Sequence, residues 1–251
     1  MIVRTVKTDK VLAGQKNIFE VLDEFLPELS ERSVIVVTSK IVALCENRVV
    51  PIGAKDKEEL VKEQSDYFLP ATLSKYGHHF TIANNTLAAV AGIDESNGDG
   101  NYVLWPKDSQ KSANQIREYL KNRLNLKDLG VIISDSTCMP MRWGAIGQPL
   151  AYSGFEATKN YIGQPDLFGK PFKVSRSGIA LGLAAAAVVA MGEGIEQTPI
   201  AVISDVDFVN FQDRDPTEEE LKNFYIADYK DDLFGPFLES VKWQKGQRGT
   251  P

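Results

Sequence analysis

The most informative stretch of the chain is Gly130-Val131-Ile132-Ile133-Ser134-Asp135-Ser136-Thr137. Its early residues favour a buried strand, and a carboxylate flanked by hydroxyls follows them. A buried strand that ends at a carboxylate delivers that group to a fixed position. Oxygen ligands of this kind suit a hard cation such as Mg²⁺ or Mn²⁺ rather than zinc. A helix N-cap or an Asx-turn at Asp135 is the structural alternative.

The composition is that of a soluble globular protein without a general affinity for nucleic acid. Of the 251 residues, 43% are apolar and 25% are charged, which is ordinary for this class. The formal net charge of −6 supplies no basic field for a nucleic acid. An anionic ligand would therefore be met by local cations, helix N-termini or bound metal. The two cysteines, Cys45 and Cys138, form neither a CxxC motif nor a disulfide framework.

Neither export nor membrane insertion is indicated. The first seven residues lack the apolar core of a signal peptide. The longest apolar run, Ile179 to Met191, is shorter than the ~20 residues that a helix needs to span a bilayer. We therefore expect a cytoplasmic protein that makes no use of a membrane.

Apolar periodicity predicts strands alternating with helices. The predicted strands are 2–6, 34–37, 48–52, 78–82, 87–90, 130–133 and 199–203, with a hairpin turn at 83–86. The predicted helices lie near 18–26, 57–68, 107–124, 216–224 and 233–243, and a nearly all-apolar helix at 179–191 should be buried on most sides. Residues 145–173 lack a clear period and predict turns and short strands, and residues 244–251 predict a frayed end.

Three further segments place candidate ligand groups after predicted strands. Thr38-Ser39-Lys40 has hydroxyls and a lysine that could hold a phosphate, or else a helix cap with a solvent-exposed lysine. The turn from Asp94 to Asn97 presents a carboxylate and an amide, or is simply a turn. Glu193 follows Gly192, a predicted C-cap of the apolar helix, where the helix dipole disfavours a carboxylate unless a cation offsets it.

Two arginines complete the candidates. Arg142, after the Asp135 segment, could meet an anionic substrate. Arg117, on the helix predicted at 107–124, could serve a ligand, although a solvated position is the expectation. The sequence has no P-loop, no GxGxxG opening a helix, no GxSxG and no HExxH, so nucleotide binding would use a less common fold.

In this order, the motifs resemble those of the coenzyme F420-0:L-glutamate ligase (F420-0 γ-glutamyl ligase) family over nearly the whole chain. The stretches that carry the resemblance are Thr38–Val42 with Glu46 and Arg48, Ala91–Asn97, Trp105–Asp108 with Ser112-Ala113 and Ile116-Arg117, Val131–Ser136, Met191–Glu193 before Pro199, and Asp231–Phe234. The resemblance implies a single domain over residues 1–251, with two interwoven subdomains as a variant. It also implies an α/β (mixed α+β) fold of mixed sheets flanked by helices, and an intertwined homodimer.

The resemblance further implies an activity. The family uses GTP to activate a terminal carboxylate of a deazaflavin acceptor as an acyl phosphate, which the amine of L-glutamate then attacks to form an amide. Phosphoryl transfer of this kind depends mainly on charge neutralisation and alignment. Two divalent ions, Mg²⁺ or Mn²⁺, are implied, with K⁺ as an assisting monovalent cation. A family-like ligase for another amino acid or acceptor, and a non-catalytic relative that binds a nucleotide or ligand, are the alternatives.

The resemblance assigns roles by position. Metal ligands would be Asp94, Asp135, Ser136 and Glu193, and the nucleotide would be held by Ser39, Lys40, Asn97 and the loop with Met191, Gly192, Gly194 and Thr198. Asp135 and Arg142 are the implied catalytic residues, with Arg142 meeting a substrate anion. Two departures stand out: Leu44 replaces a family lysine, and Cys138 to Arg142 replaces Gly-Arg-Pro-Trp-Arg.

Overall fold

A computed structural model describes residues 1–248 of the chain. Its helices are α1 (Ile18–Phe25), α2 (Ser39–Cys45), α3 (Lys57–Gln64), α4 (Ser109–Leu124), α5 (Ile179–Met191), α6 (Glu218–Phe224) and α7 (Gly235–Glu239). Its strands are β1 (Ile2–Val6), β2 (Ser33–Thr38), β3 (Val49–Pro51), β4 (Tyr67–Phe68), β5 (Phe80–Ala83), β6 (Thr86–Ala89), β7 (Asn101–Val103), β8 (Leu129–Cys138), β9 (Ala145–Ser153), β10 (Thr158–Asn160), β11 (Arg176–Gly178), β12 (Ile200–Ser204) and β13 (Gln244–Lys245). The predicted mixed α/β fold with mixed sheets is confirmed.

The chain divides into two compact units, each assembled from segments that are distant in sequence. The first unit comprises Met1–Lys10, Asn17–Ile41 and Asp108–Phe224. The second unit comprises Val11–Lys16, Val42–Lys107 and the chain from Tyr225 onward. Within the described residues, no helix is long and apolar enough to cross a membrane.

The first unit is built on a five-stranded sheet with the order β1-β12-β2-β8-β9. The central pair, β2 and β8, is parallel, and the other three pairs are antiparallel. One row of paired residues crosses the whole sheet: Val6, Ile200, Val37, Ile133 and Ala151. The register therefore fixes which loops leave the sheet at the same edge.

Helix α5 covers one face of this sheet and begins and ends at the predicted residues. Its Leu183, Ala184 and Ala187 pack in one cluster with Val36 and Ile132. The expectation that α5 is buried on most sides is wrong, because 52% of Leu181 and 76% of Val189 are exposed. The helix packs on the sheet through one face only, so it is less buried than its apolar composition predicts.

Strand β8 is longer than predicted. It does not end at Asp135 but continues to Cys138, paired throughout with β9. Its parallel pairing with β2 stops at Thr38 and Ser134. Residues 135–138 therefore belong to a two-stranded ribbon with β9, which is itself a nine-residue strand in the region where only turns and short strands were expected.

Arg117 on α4 is a structural residue rather than a solvated one. Its side chain is 6% exposed and pairs with Asp213 at 3.1 Å and with Asp215 at 3.4 Å. It also donates to the carbonyl oxygen of Gln212. The expectation of a solvated position is wrong because these contacts fix the segment that follows β12 against α4.

The second unit contains a four-stranded antiparallel sheet with the order β13-β4-β5-β6. The predicted hairpin joins β5 to β6 through Asn84 and Asn85, which both have positive φ, as a type I′ turn requires. The helix predicted at 57–68 stops at Gln64, and β4 follows it. The prediction of a frayed end from residue 244 is wrong for β13, which pairs with β4, while residues 249–251 lie outside the described part.

Candidate active site

Several loops of the first unit meet at one edge of its sheet. Beyond the row that crosses all five strands, β2 runs into Ser39 and β8 runs into Ser134 and Asp135. The loop that precedes β12 reaches the same edge, because the Thr38 amide donates to the Pro199 carbonyl oxygen at 3.0 Å. This edge therefore collects hydroxyl groups, one lysine and one carboxylate. All of them were singled out from the sequence.

Asp135 is held by the ladder between β8 and β9. It is paired with Gln148, and the step before this pair contains a bulge, since Ile133 faces Ala151 whereas Ser134 faces Pro149. Residues directly opposite each other in an antiparallel pair project from the same face. The Gln148 amide therefore stands beside the Asp135 carboxylate. Its Nε2 atom is buried and has no hydrogen-bond partner among the described residues.

Ser39 and Lys40 lie in the first turn of α2, directly after β2. Ser39 is 4% exposed and Lys40 is half-buried. The alternative prediction, a helix cap with a solvent-exposed lysine, is correct in part, since this segment does begin a helix. The lysine is nevertheless carried to the edge of the sheet that holds Asp135, and this is the charge that a phosphate at that edge would need.

The loop from Met191 to Thr198 is held in its conformation by hydrogen bonds within the segment and to the end of α5. Gly192 caps α5 with φ of 83°, and its amide donates to the Val188 carbonyl oxygen. Glu196 folds back and accepts from the Gly194 amide at 2.8 Å. Thr198 Oγ1 donates to the Met191 carbonyl oxygen at 2.5 Å. Glu193, which lies between these contacts, is exposed.

Ser136 and Arg142 do not lie beside the Asp135 carboxylate. Neighbouring residues of a strand project from opposite faces, so the side chains of Asp135 and Ser136 do not share one face of β8. Ser136 is paired with Gly147. Arg142 lies in the hairpin loop that begins after Cys138, and Cys138 is itself about 10 Å beyond Asp135 along the strand at ~3.3 Å per residue. There its guanidinium donates to the Met141 carbonyl oxygen.

Asp94 and Asn97 belong to the second unit. Asp94 follows the 3₁₀ turn Val90–Gly92, and its Oδ1 accepts from both the amide and the hydroxyl of Ser96, at 2.7 and 2.8 Å. This is the local turn that the sequence allowed as the structural alternative. Asn97 is exposed and has φ of 53°. The amide of Asp94 also pairs with the carbonyl oxygen of Val103.

The donors suit a hard cation in their chemistry but are not preassembled as a cluster. Within residues 1–248, no group of three or more His, Cys, Asp or Glu side chains is arranged to hold a metal ion. Mg²⁺ commonly takes only one or two protein carboxylates, with substrate phosphates and water completing its shell. Asp135 at an edge that also carries Ser39 and Lys40 fits that pattern.

Comparison with known proteins identifies the family. The model of the F420-0:Gamma-glutamyl ligase family matches residues 5–205. The coenzyme F420:L-glutamate ligase of Methanocaldococcus jannaschii is 36% identical over 179 residues, which are 69% of this chain and 68% of that enzyme. The chain belongs to this ligase family. It is therefore an enzyme of the ligase class.

Other members of the family are similar to a comparable extent. The coenzyme F420:L-glutamate ligase of Methanosarcina barkeri is 32% identical over 197 residues, covering 72% of this chain and 76% of that enzyme. The enzyme of the same name from Methanopyrus kandleri is 30% identical over 184 residues, covering 72% and 66%. The family match ends at β12, so α6, α7 and β13 lie beyond it.

Sequence reasoning missed Gln148 and Glu196. Gln148 could not be found because its position opposite Asp135 depends on the bulge in β9. Glu196 is four residues from Gly192, and the motif gives no sign that its carboxylate accepts a hydrogen bond from the Gly194 amide. At the position of the expected family lysine, Leu44 is 5% exposed, so this part of the second unit holds an apolar side chain instead of a charge.

Proposed function

We propose that this ligase uses GTP to join L-glutamate to a carboxylate of F420-0 or of a related deazaflavin acceptor. The acceptor carboxylate attacks the γ-phosphorus of GTP and releases GDP. The amine nitrogen of glutamate then attacks the acyl carbon, loses a proton and releases phosphate, leaving an amide. The family membership and the residues gathered at one sheet edge of the first unit support this proposal.

The main support for the proposal is the parallel register of β2 and β8. The register that pairs Val37 with Ile133 brings the end of β2 and the Asp135 segment of β8 to the same edge. Lys40 would neutralise phosphate charge there, and Asp135 would hold Mg²⁺ or Mn²⁺. The metal would supply charge neutralisation during phosphoryl transfer. The nucleotide would also contact Ser39 and the loop from Met191 to Thr198.

The remaining assignments rest on the resemblance. Glu193 and Ser136 complete the proposed metal ligands in the first unit, and Asp94 and Asn97 are proposed ligands from the second unit. K⁺ is the proposed monovalent cation. Arg142 is the proposed contact for a substrate anion.

The decisive experiment compares Asp135→Asn with Asp207→Asn. GDP and phosphate release are measured with GTP, Mg²⁺, F420-0 and L-glutamate, and the amide product is followed by mass spectrometry. Asp135→Asn should lose turnover by at least about a hundredfold. Asp207, which is exposed after β12, should be replaceable without loss. Full turnover by Asp135→Asn would defeat the proposal.

A substrate panel separates the proposal from its competitors. Replacing GTP by ATP, glutamate by other amino acids and F420-0 by other carboxylates identifies a family-like ligase with a different specificity. Nucleotide binding without phosphate release, for every acceptor in the panel, would identify a non-catalytic relative. Product formation with F420-0, GTP and L-glutamate alone supports the assignment as stated.

We also propose that two copies associate as a homodimer through the first unit. The hairpin between β8 and β9 exposes 92% of Met141 and 94% of Trp143. The segment between β10 and β11 exposes 99% of Leu167 and 95% of Phe168. Large apolar side chains exposed to this extent are typical of protein interfaces. Light scattering after gel filtration should give a dimer, and Trp143→Asp should shift it toward the monomer.

A further inference from the structure

The second unit contains a pocket whose lining includes none of the residues assigned above to the ligase site. Its volume is about 500 Å³, within the range of roughly 300–1,000 Å³ that is usual for small-molecule sites. It is lined by the sheet of β13, β4, β5 and β6 and by the segment that includes α7. Its lining includes Tyr67, Leu87, Ala227, Tyr229, Lys245 and Arg248.

The floor of the pocket is a row of side chains on one face of the sheet. Lys245 pairs with Tyr67, Tyr67 pairs with Ile82, and Ile82 pairs with Leu87. Residues paired in this way project from the same face, so the row presents one aromatic and two aliphatic side chains side by side. Leu87 is 46% exposed, so apolar surface faces the pocket without being covered.

The part of the lining that comes from residues 226–238 is also largely apolar. Ile226, Tyr229 and Leu238 belong to it, and 45% of Ile226 is exposed. The ring of Tyr229 meets the ring of Tyr67 edge-on, with centroids 5.8 Å apart. The two rings touch and form one continuous aromatic surface, against which a flat ring system could pack.

The charged groups at the pocket favour an anion. Its two carboxylates are already engaged by backbone amides, since Asp66 accepts from Asn84 and Asp232 accepts from Phe234. Lys245 makes no ion pair within the described residues. The two carboxylates keep their negative charge, but within the described residues neither forms an ion pair with Lys245 or Arg248, so these two cations are available to an anionic ligand.

Arg248 is the half-buried cation of this set. Its guanidinium makes one long contact, 3.5 Å, to the Gln64 carbonyl oxygen. Burial lowers the pKa of Arg248, the charge of Asp66 acts in the opposite direction, and the nearby Arg48 lowers the pKa further. Among the described residues no carboxylate forms an ion pair with this guanidinium, and a bound anion would supply one.

We propose that the pocket binds a small flat molecule that carries an anionic group. Its ring system lies against Tyr67 and Tyr229, and its anion meets Arg248. The site is formed in part by residues 226–248, which lie outside the matched family range of 5–205. The proposed site is separate from the residues assigned to the ligase reaction, because none of those residues lines the pocket.

The probe is 8-anilinonaphthalene-1-sulfonate, a flat apolar anion whose fluorescence rises on binding. The full chain is titrated as wild type, Arg248→Met, Ala227→Trp and Lys230→Met. Arg248→Met should weaken binding by at least about tenfold, because it removes the charge and keeps the apolar stem. Ala227→Trp should remove the site by filling it. Lys230→Met, an exposed lysine of the same segment, should change the affinity by less than about twofold.

A second dye tests the role of the charge. N-phenyl-1-naphthylamine has the same ring system without the sulfonate, so Arg248→Met should leave its binding unchanged, whereas Ala227→Trp should abolish it. Arg248→Lys should retain sulfonate binding if charge is what matters, and circular dichroism checks that each variant is folded. Equal affinity of Arg248→Met and Lys230→Met for the sulfonate would overturn the proposal. Unchanged binding to Ala227→Trp would place the dye elsewhere and would overturn it as well.

Discussion

Asp135 on β8 is paired directly with Gln148 on β9, so a carboxylate and an amide project together from one face of the sheet. This pairing exists because β9 accommodates one extra residue, Leu150, between the partners of Ile133 and Ser134. Without that bulge the alternation of β9 would carry the Gln148 side chain to the other face. The environment of the central carboxylate is therefore set by a strand that follows it in sequence.

Replacing Gln148 by Met should stabilise the protein without ligands. The Nε2 atom of Gln148 is buried without a partner among the described residues, and an unpaired buried donor costs about 1–3 kcal/mol. Methionine has a similar length and lacks the donor. We expect the free energy of unfolding in urea to rise by about 1 kcal/mol. A fall of similar size would mean that the amide is satisfied in the folded protein.

Replacing Gly147 by Ala should destabilise the first unit, because a Cβ at this position would meet α5. It would lie 2.4 Å from the Ala184 carbonyl oxygen and 2.5 Å from a Val188 methyl carbon. The expected loss is about 1–3 kcal/mol, measured by thermal or urea unfolding.

The matched control for Gly147→Ala is Gly182→Ala on α5. A Cβ on Gly182 would find no atom within 4 Å. Because Gly182 lies inside the helix, alanine should stabilise it by about 0.5–1 kcal/mol. Opposite signs for the two changes would confirm the close approach of α5 to β9; a loss of equal size at both positions would contradict it.

Replacing Arg117 by Met should destabilise the first unit by about 1–2 kcal/mol, because the hydrogen bonds of the guanidinium to Asp213 and Asp215 are lost while both carboxylates remain about half exposed to solvent. Burial lowers the pKa of Arg117, and Asp215 acts in the opposite direction. Chemical unfolding measures the loss. The control is Arg176→Met, which removes an exposed arginine from β11 and should have little effect. Equal stability of the two variants would show that the ion pairs with Asp213 and Asp215 contribute nothing.

Replacing Glu220 by Gln should remove a stabilisation that depends on pH. The hydrogen bonds from Arg214 hold the pKa of Glu220 far below its ordinary value of 4.5, and the Thr217 amide acts in the same direction. Because the folded pKa is depressed, the stabilisation is present above the unfolded pKa and is lost as the pH falls through the folded pKa. The difference in unfolding free energy between wild type and Glu220→Gln should be constant near neutral pH and should shrink below about 4.5.

Glu219→Gln is the control for this titration, because Glu219 is an exposed neighbour in the first turn of α6. Its stability should follow that of the wild type at every pH. Urea unfolding across the pH series measures all three proteins. A difference between Glu220→Gln and the wild type that grew on acidification would refute the expected sign.

The elements that were predicted well are those bounded by capping or turn residues that can be recognised in the sequence. Helix α5 runs from Ile179 to Met191 as expected, because Gly192 follows it in a conformation with positive φ. Helix α4 begins after Asp108, whose side chain accepts from the Lys111 amide as an N-cap. The hairpin at Asn84 and Asn85 was predictable for the same reason, since its turn residues tolerate positive φ.

The predictions that were wrong concern residues whose structure depends on partners far away in sequence. The end of β8 could not be read from Asp135, because pairing with β9 extends the strand beyond the polar residues. The burial of Arg117 depends on Asp213 and Asp215, nearly a hundred residues away, which no local pattern connects to it. The exposure of Leu181 and Val189 depends on how many faces of α5 meet the sheet. Composition does not carry that information.

The place of β12 between β1 and β2 has a consequence for synthesis on the ribosome. The N-terminal strand cannot join the sheet until residues 200–204 have been made, because β12 is its neighbour there. Until then the nascent chain carries β1 without its partner and β2 with one open edge. Strands in this state are liable to pair with other chains, so slow elongation before residues 200–204 are made should favour aggregation or chaperone capture.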